Sequence, residues 1–306
     1  MHRVFLLFIS CLAGISTLCD VAYAKQDEYQ WSFSPMLGVH APNLNVLNEG
    51  VFRAPLLYEA DILTGDAPIR TETRKFSNPL PGINYAPLAG IEFQWKLDEK
   101  NALLIGGSTW EGSSESTANG RLPIQGFDAN VTNNRRATLS YNEFLLGWKH
   151  NVIRRPDKYN LYFRLSLHEI FDVGYREDWV FLYLDGPAAT FKKILVIESK
   201  ATGILMLQPG VGGEVFLKKW LSLGFETSYS YGLRKFTFRN NNINRDFLAT
   251  DGIFMKTSIR PNPPESGISD PEDGNLEYQA EDGSSYRKLR LTFDGWKALF
   301  KINIYY

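Results

Sequence analysis

Apolar and polar residues alternate with a period of two along much of this sequence. Between Ala89 and Leu97, every second residue is apolar and the residues between are glycine or polar. The last segment, from Trp296 to Tyr306, repeats the pattern. Successive side chains of a β-strand point to opposite faces, so each segment predicts a strand with one apolar face and one polar, glycine-rich face.

The alternation recurs in eight segments, and each is long enough to cross a bilayer as a tilted strand, for which about 9–11 residues are needed. The connections after the second, fourth and sixth segments are short. The other connections are long and cover residues 41–83, 113–137, 173–201 and 234–286. Short turns at one end and long loops at the other are typical of outer-membrane barrels.

The pattern therefore predicts an all-β protein, an antiparallel up-and-down transmembrane β-barrel of eight strands. Ten to twelve strands are the alternative, because residues 173–201 contain a further alternating hairpin around the turn Asp185-Gly186-Pro187. We expect that hairpin to extend the outer rim without adding spanning strands.

A soluble β-sandwich would also alternate, but the polar face argues against it. That face carries charges that no dry sandwich core would accept unpaired. The tryptophans Trp95, Trp148 and Trp220 lie beside the short turns, where an interfacial aromatic girdle is expected. Both features favour the membrane barrel.

Residues 1–24 have the features of a secretory signal peptide. Arg3 precedes an apolar run from Val4 to Leu18, and Ala22-Tyr23-Ala24 supplies small residues before the cleavage point. The run is short for a helix that crosses a hydrocarbon core of ~30 Å, although an uncleaved anchor is the alternative. We predict one barrel domain over residues 25–306.

The composition of the chain argues against several classes of function. Both cysteines, Cys11 and Cys19, lie in the predicted signal, which leaves no thiol for a disulfide or a thiolate metal site in the barrel. The formal net charge of −1 does not favour nucleic-acid binding. No later segment approaches the roughly 18 consecutive apolar residues of a membrane helix. No phosphate loop or metal-ligand spacing is present, so we expect no cofactor and no metal.

The last strand resembles the C-terminal signal read by the barrel assembly machinery of the outer membrane. Phe300, Ile302, Ile304 and Tyr306 carry the resemblance, with a terminal Tyr in place of the more usual Phe. The whole chain looks like the small eight-stranded class typified by OmpX, OmpW and the membrane domain of OmpA. That resemblance implies the outer membrane of a Gram-negative cell envelope, with its lipids and lipopolysaccharide as partners. It implies no single function.

An eight-stranded barrel is just wide enough inside to be filled by side chains. Buried charges must pair, so inward charges of both signs predict a salt-bridge network that fills the lumen. A narrow, porin-like pore for small solutes is the alternative. The predicted network consists of Glu92, Glu143, Lys149, Arg164, Glu214, Glu226, Lys297 and Lys301.

A lipid-modifying enzyme is the second alternative. General-base catalysis most easily uses histidine, and the candidates are His168, His40 and Ser166. Ser166 and His168 share a strand face, with Glu169 adjacent. Because residues two apart on a strand are separated by about 7 Å, we expect no direct hydrogen bond between them. The sequence thus favours a protein that is not an enzyme.

The long connections are the expected functional surface, since the strands are committed to lipid and lumen. Leu44, Leu47 and Val51 have helical spacing, which predicts either a short helix over the barrel mouth or simple loop packing.

Two other connections carry charge. The segment 113–137 contains Arg121, Arg135 and Arg136, which either meet lipopolysaccharide phosphates or are solvated. The acidic segment 261–286 either bridges divalent cations or is solvated and mobile. Our leading hypothesis is a non-enzymatic outer-membrane barrel whose loops bind a ligand, a partner or lipopolysaccharide.

Overall fold

The computed structural model describes most of the chain after the predicted signal peptide. The described residues are 29–53, 78–124, 127–155, 158–186, 189, 192–201, 203–243, 254–259, 269–270, 274–275, 278–279, 284–288 and 290–306. The predicted signal peptide, residues 1–24, and most of the acidic segment 261–286 lie outside them, so neither prediction is tested. No helix among the described residues is long and apolar enough to span a membrane.

The described part is built almost entirely of strands. The long strands are β1 (Trp31–Pro42), β2 (Ala86–Lys96), β3 (Asn101–Ile124), β4 (Phe127–Arg155), β5 (Tyr159–Tyr183), β6 (Lys192–Ala201), β7 (Ile204–Lys218), β8 (Leu221–Gly232) and β17 (Gly295–Tyr305). The short strands are β9 (Phe236–Thr237), β10 (Arg239–Ile243), β11 (Phe254–Ile259), β12 (Ser269–Asp270), β13 (Gly274–Asn275), β14 (Tyr278–Gln279), β15 (Ser284–Lys288) and β16 (Arg290–Leu291). One short helix, α1 (Asn45–Leu47), continues as a π-helical turn over Asn48–Phe52.

Eight of the described strands close into an antiparallel ring, in the order β1, β2, β3, β4, β5, β7, β8 and β17, and β17 returns to β1. These eight strands are the eight alternating segments of the sequence. The predicted antiparallel, all-β ring is therefore confirmed. Closure removes free strand edges from the ring, because every strand pairs on both sides.

The seam between β1 and β17 completes the ring. The backbone N–H of Trp31 donates to the carbonyl of Tyr306 at 3.2 Å, and the N–H of Tyr306 donates back at 3.0 Å. The pairing continues along both strands as far as Pro42 opposite Gly295. The last residue of the sequence is thus hydrogen-bonded to the first strand.

The alternation decides which side chains face outward. On β5, Leu161 and Leu165 are 45% and 40% exposed, whereas Arg164 between them is 1% exposed. The same inversion of ordinary protein polarity recurs around the ring, with apolar residues outside and charged residues inside. We call the end with the tight β2–β3, β4–β5 and β7–β8 connections the short-turn end, and the opposite end the long-loop end.

Three strands rise beyond the ring at the long-loop end, which corrects the prediction that residues 113–137 and 173–201 are mainly loop. The strands β3 and β4 pair without interruption up to Ile124 and Phe127, and β5 pairs with β4 up to Tyr183. Alternation did not reveal the β3–β4 part, because its outward residues are either charged or are Ser, Thr and Asn. Side-chain hydrogen bonds join those residues across the strands, from Thr117 to Asn134 and from Thr132 to Asn119, both at 2.8 Å.

The hairpin around Asp185 lies where the sequence predicts it. Its second strand, β6, pairs with residues 173–182 of β5, whereas β7 pairs with residues 159–170 of the same strand. Extension of the rim without additional ring strands is therefore confirmed. We call the sheet beyond the ring, formed by β3 from Ser113, β4 up to Ala137, β5 from Val173, β6 and β10, the outer sheet.

The seam gives the first testable prediction. A Cβ on Gly38 would collide with the carbonyl oxygen of Ala298 on β17, whereas the nearest atom to a Cβ on Gly224 would be the flexible amide nitrogen of Asn303 at 3.2 Å, and its other neighbours lie at 3.5 Å or more. We expect Gly38→Ala to lower the free energy of unfolding by about 1–3 kcal/mol through overpacking. Gly224→Ala, the matched control, should lower it by less than half as much.

The measurement is urea unfolding in detergent, followed by circular dichroism. Equal losses in both variants would contradict a tightly closed β1–β17 seam.

Candidate functional site

The lumen of the ring is the candidate site because it collects the charged residues. The structure places all eight residues of the predicted network on the inner face, each at most 5% exposed. They come from six of the eight ring strands. Alternation explains the placement, since each lies at a polar position next to at least one exposed apolar residue on the outward face.

Four charges form the centre of the network. Arg164 Nη1 lies 2.9 Å from Glu92 Oε2 and 2.7 Å from Glu226 Oε1. Lys301 Nζ lies 3.0 Å from Glu92 Oε1 and 2.8 Å from Glu226 Oε2. Each cation therefore bridges both carboxylates, and each carboxylate is bound by both cations.

A second cluster surrounds Glu214 nearer the short-turn end. Lys149 Nζ lies 3.2 Å from Glu214 Oε1, and Asn160 donates to the same oxygen at 2.8 Å. The other carboxylate oxygen accepts hydrogen bonds from Asn303 at 3.0 Å and from the hydroxyl of Tyr305 at 2.6 Å. Donors from three strands, β4, β5 and β17, thus satisfy one buried carboxylate.

The third cluster surrounds Glu143 nearer the long-loop end. Lys297 Nζ lies 2.7 Å from Glu143 Oε2, and Ser108 donates to Oε1 at 2.6 Å. Glu143 belongs to β4 and Lys297 to β17, and three strands separate β4 from β17 in either direction around the ring. This pair therefore spans the full width of the lumen.

Ser166 and His168 correct one expectation. Ser166 Oγ lies 2.8 Å from His168 Nε2, although residues two apart on a strand were not expected to bond directly. The imidazole reaches back along the strand and covers the distance that separates the two backbone positions. Glu169 lies on the outward face and takes no part, whereas Glu143 Oε2 lies 3.2 Å from His168 Nδ1.

The order Ser166, His168, Glu143 has the composition of a nucleophile, a base and an orienting acid. Its surroundings do not suit catalysis. Ser166 and His168 are 2% and 1% exposed, and Glu143 is already bound to Lys297 and Ser108. His168 Nδ1 is close to Glu143 but makes no aligned hydrogen bond. A substrate would have to enter the filled lumen to reach the hydroxyl.

His40, the other histidine candidate, is also buried in the inner wall. Its Nδ1 lies 2.6 Å from the hydroxyl of Tyr141, and its ring lies edge-on to Trp110 with centroids 5.9 Å apart. His40 Nε2 has no hydrogen-bond partner among the described residues. Its neighbours Trp110 and Tyr141 belong to an apolar cluster that lies between the charged lumen and the long-loop end.

An apolar plug closes the long-loop end. Leu44, Leu47 and Phe52, each 0% exposed, pack into the same apolar cluster as Trp110 and Phe293. The short helix over the mouth, one of the two alternatives for this segment, is therefore the one observed. We call residues 44–53 and 78–83 the cap.

One backbone hydrogen bond and one side chain hold the two parts of the cap together. Leu80 N–H donates to the carbonyl of Phe52 at 2.9 Å. The side chain of Asn48 accepts from the N–H of Ile83 at 3.0 Å and donates to the carbonyl of Ile83 at 3.3 Å.

Arg135 fixes the cap to the outer sheet, a role that the sequence reasoning missed. Its guanidinium donates to the carbonyls of Val51, Phe52 and Asn78 at 2.9–3.2 Å. Its Nε lies 2.6 Å from Glu177 Oε1. Arg135 is 0% exposed, which contradicts its assignment to a loop that meets lipopolysaccharide or solvent. Continuing the inward parity of β4 from Tyr141 through Leu139 and Ala137 would have identified it.

Neighbouring groups complete the support of Arg135. Its guanidinium lies over the ring of Trp179, 4.5 Å from the centroid. Tyr175 donates to Glu177 at 2.5 Å. Burial, and then the negative charge of Glu177, raise the pKa of Tyr175 above its ordinary value, so the phenol stays protonated as a donor. Arg121 and Arg136, the other two arginines of this segment, are exposed.

The residues of the predicted assembly signal lie on the outer face of β17 and at its end. Phe300, Ile302 and Tyr306 are 66%, 38% and 47% exposed, and Ile304 is partly exposed. Among the described residues, no group of three His, Asp or Glu side chains is arranged to hold a metal ion.

Arg135 and its neighbour Arg136 give a matched pair of variants. Arg135→Ala leaves Glu177 without its cation and removes three donors from the cap, so we expect the cap to lose about 3 kcal/mol of stability. Amide hydrogen exchange of residues 44–53 should then accelerate by roughly 100-fold. Arg136→Ala, an exposed change, should leave the rate within about twofold of the wild type. Unchanged exchange in the Arg135 variant would contradict this role.

Comparison with solved structures finds distant likeness only, of which one example follows. A crystal structure of a Pseudomonas aeruginosa FadL homologue matches with a TM-score of 0.30 and 10% sequence identity, over 90% of each chain. No family model matches the sequence, and no curated protein does. The strand pairings of this chain, and not that match, define its fold.

Proposed function

We propose that this protein is a non-enzymatic β-barrel of a Gram-negative outer membrane, with a lumen filled by paired charges and a polar outer sheet presented at the surface. The observation that carries the proposal is the inverted polarity of the ring. Glu226 inside is 0% exposed, whereas Phe225 and Leu223 beside it are 46% and 47% exposed.

A bilayer explains the apolar exterior. Soluble monomers rarely expose contiguous apolar patches larger than a few hundred Å². Here exposed large apolar side chains cover all eight ring strands, for example Leu37, Phe93, Ile105, Leu146, Phe163, Val211, Leu223 and Phe300. A closed ring with lipid outside satisfies the backbone internally, as a spanning structure must.

Aromatic residues border this apolar belt at both ends. At the short-turn end, Trp31 and Trp95 stack with centroids 5.3 Å apart, and both are exposed. At the long-loop end, Tyr229 and Trp296 meet edge to face with centroids 5.3 Å apart. Aromatic girdles at both interfaces are characteristic of outer-membrane barrels. In that class, the short turns are periplasmic and the long connections extracellular.

The filled lumen supports an anchoring role over a channel. The Lys297–Glu143 pair bridges opposite walls at 2.7 Å, and the cap closes the long-loop end. The same burial argues against an enzyme that uses Ser166 and His168. The accessible surface at the long-loop end is the outer sheet and its connections, where Arg176 pairs with Asp178 and Glu198 at 2.9 Å and 2.7 Å. A ligand, a partner protein or lipopolysaccharide would bind there.

Two measurements on the wild-type protein test the proposal. After expression in a Gram-negative host, the protein should stay in the membrane pellet after a carbonate wash, and its mobility on SDS gels should change on heating. In planar bilayers it should give no discrete openings under conditions in which a porin does. Release as a soluble monomer would contradict the membrane barrel, and discrete openings would favour the narrow channel.

A further inference from the structure

The short-turn end of the barrel carries an excess of basic side chains that the filled lumen and the outer sheet do not explain. The described basic residues are Lys96, Lys100, Arg154, Arg155, Lys158, Lys218 and Lys219, and the described acidic residues at this end are Asp98 and Glu99. Outside the described residues, the sequence adds Asp157 in the β4–β5 turn and Lys25, Asp27 and Glu28 shortly before β1, and basic residues remain in excess. The rim is therefore net positive although the whole chain has a formal charge of −1.

Most of these basic groups are exposed. Five exposed basic residues come from three separate turns: Lys100, Arg155, Lys158, Lys218 and Lys219. Their charges thus form a ring around the end of the barrel. Asp98, in contrast, serves its own turn, because its carboxylate accepts from the N–H groups of Lys100 and Asn101 at 2.7 and 2.8 Å.

The basic ring lies at the level of the aromatic girdle. Lys218 Nζ lies over the ring of Trp220, 5.5 Å from its centroid. Arg155, at the end of β4, lies opposite Tyr159 in the β4–β5 strand pairing, and Tyr159 is a partly exposed aromatic residue at the start of β5. An aromatic girdle marks the depth of lipid headgroups. Lysines and arginines at that depth are placed beside the phosphates.

The long-loop end of the same belt is different. Its exposed charges have both signs, as in the pair of Lys200 and Asp172, which lie 3.9 Å apart. The acidic residue Glu169 faces outward near the long-loop end of β5. The basic residues Arg234 and Lys235 follow the end of β8. Among the described residues, the exposed charges of the short-turn end are therefore mostly basic, whereas those of the long-loop end are mixed.

From this asymmetry we infer that the basic ring at the short-turn end binds the phosphates of anionic phospholipid headgroups. The inference rests on the proposed membrane placement and specifies the lipid partner of one rim. Polybasic clusters next to a membrane attract anionic lipids through charge that is screened beyond about 10 Å at 0.1 M salt. The binding anchors the barrel at a fixed depth in the periplasmic leaflet.

The positions of the seven tryptophans provide a readout. Trp31, Trp95, Trp148 and Trp220 lie at the short-turn end, whereas Trp110 and Trp179 are buried and 1% exposed. Trp296→Phe removes the exposed tryptophan at the other end. Quenching of the remaining fluorescence by brominated lipids then reports the lipids around the basic ring.

The experiment compares brominated phosphatidylglycerol with brominated phosphatidylcholine at equal mole fraction in vesicles containing the Trp296→Phe protein. We expect the anionic lipid to bind about threefold more tightly, with the preference falling as salt is raised. Changing Arg155, Lys158, Lys218 and Lys219 together to Gln should bring the ratio close to one. Changing Arg136, Lys200, Arg234 and Lys235 to Gln, the matched control at the other end, should leave it unchanged.

Two kinds of result would contradict the inference, and they can be told apart. Equal quenching by the two lipids, or a preference that persists in the short-turn variant, would overturn the basic ring as a lipid site and leave the membrane barrel intact. Absence of quenching by both lipids would overturn the membrane placement, and the lipid site with it.

Discussion

The cost of taking charges out of water constrains the whole inner face of this barrel. A lone buried carboxylate or ammonium costs several kcal/mol even after relaxation, and only a well-aligned partner offsets that cost. Lys297 and Glu143 meet this requirement from opposite walls, 2.7 Å apart. Arg164 and Lys301 meet it together, by sharing Glu92 and Glu226. Because each partner lies on a different strand, the pairs fix the width and register of the ring and fill the interior.

The outer face follows from the same alternation. Each of the eight lumen charges has an outward apolar neighbour along its strand, so a charged lumen and an apolar exterior arise together from one period-two pattern. The lumen is polar in its middle and towards the short-turn end, whereas the apolar cap closes the long-loop end. Arg135 joins the cap to the outer sheet. Its guanidinium donates to three carbonyls of the cap and lies beside the carboxylate of Glu177 in the outer sheet. The cap is thus bound to the outer sheet and packed against the apolar cluster of the ring.

Much of the fold was predictable because alternation reports strand faces directly. The eight ring strands and the inward position of Glu92, Glu143 and Arg164 follow from parity alone. Partner choice did not follow, because pairs such as Lys297–Glu143 depend on how strands far apart in sequence face each other across the ring. The β3–β4 part of the outer sheet was missed because its outward residues, which are charged or are Ser, Thr and Asn, give no apolar signal. Ser166 and His168 were judged by backbone spacing, which ignores the reach of the imidazole.

A charge exchange between Glu143 and Lys297 tests the filled, bridged lumen most directly. The measurement is the free energy of unfolding in detergent for Glu143→Lys, Lys297→Glu and the double variant. Each single change leaves two like charges facing each other in the lumen, and we expect a loss of about 3–5 kcal/mol or failure to fold. The double variant should recover most of that loss. Additive losses, with no recovery in the double variant, would show that the two residues do not meet across the barrel.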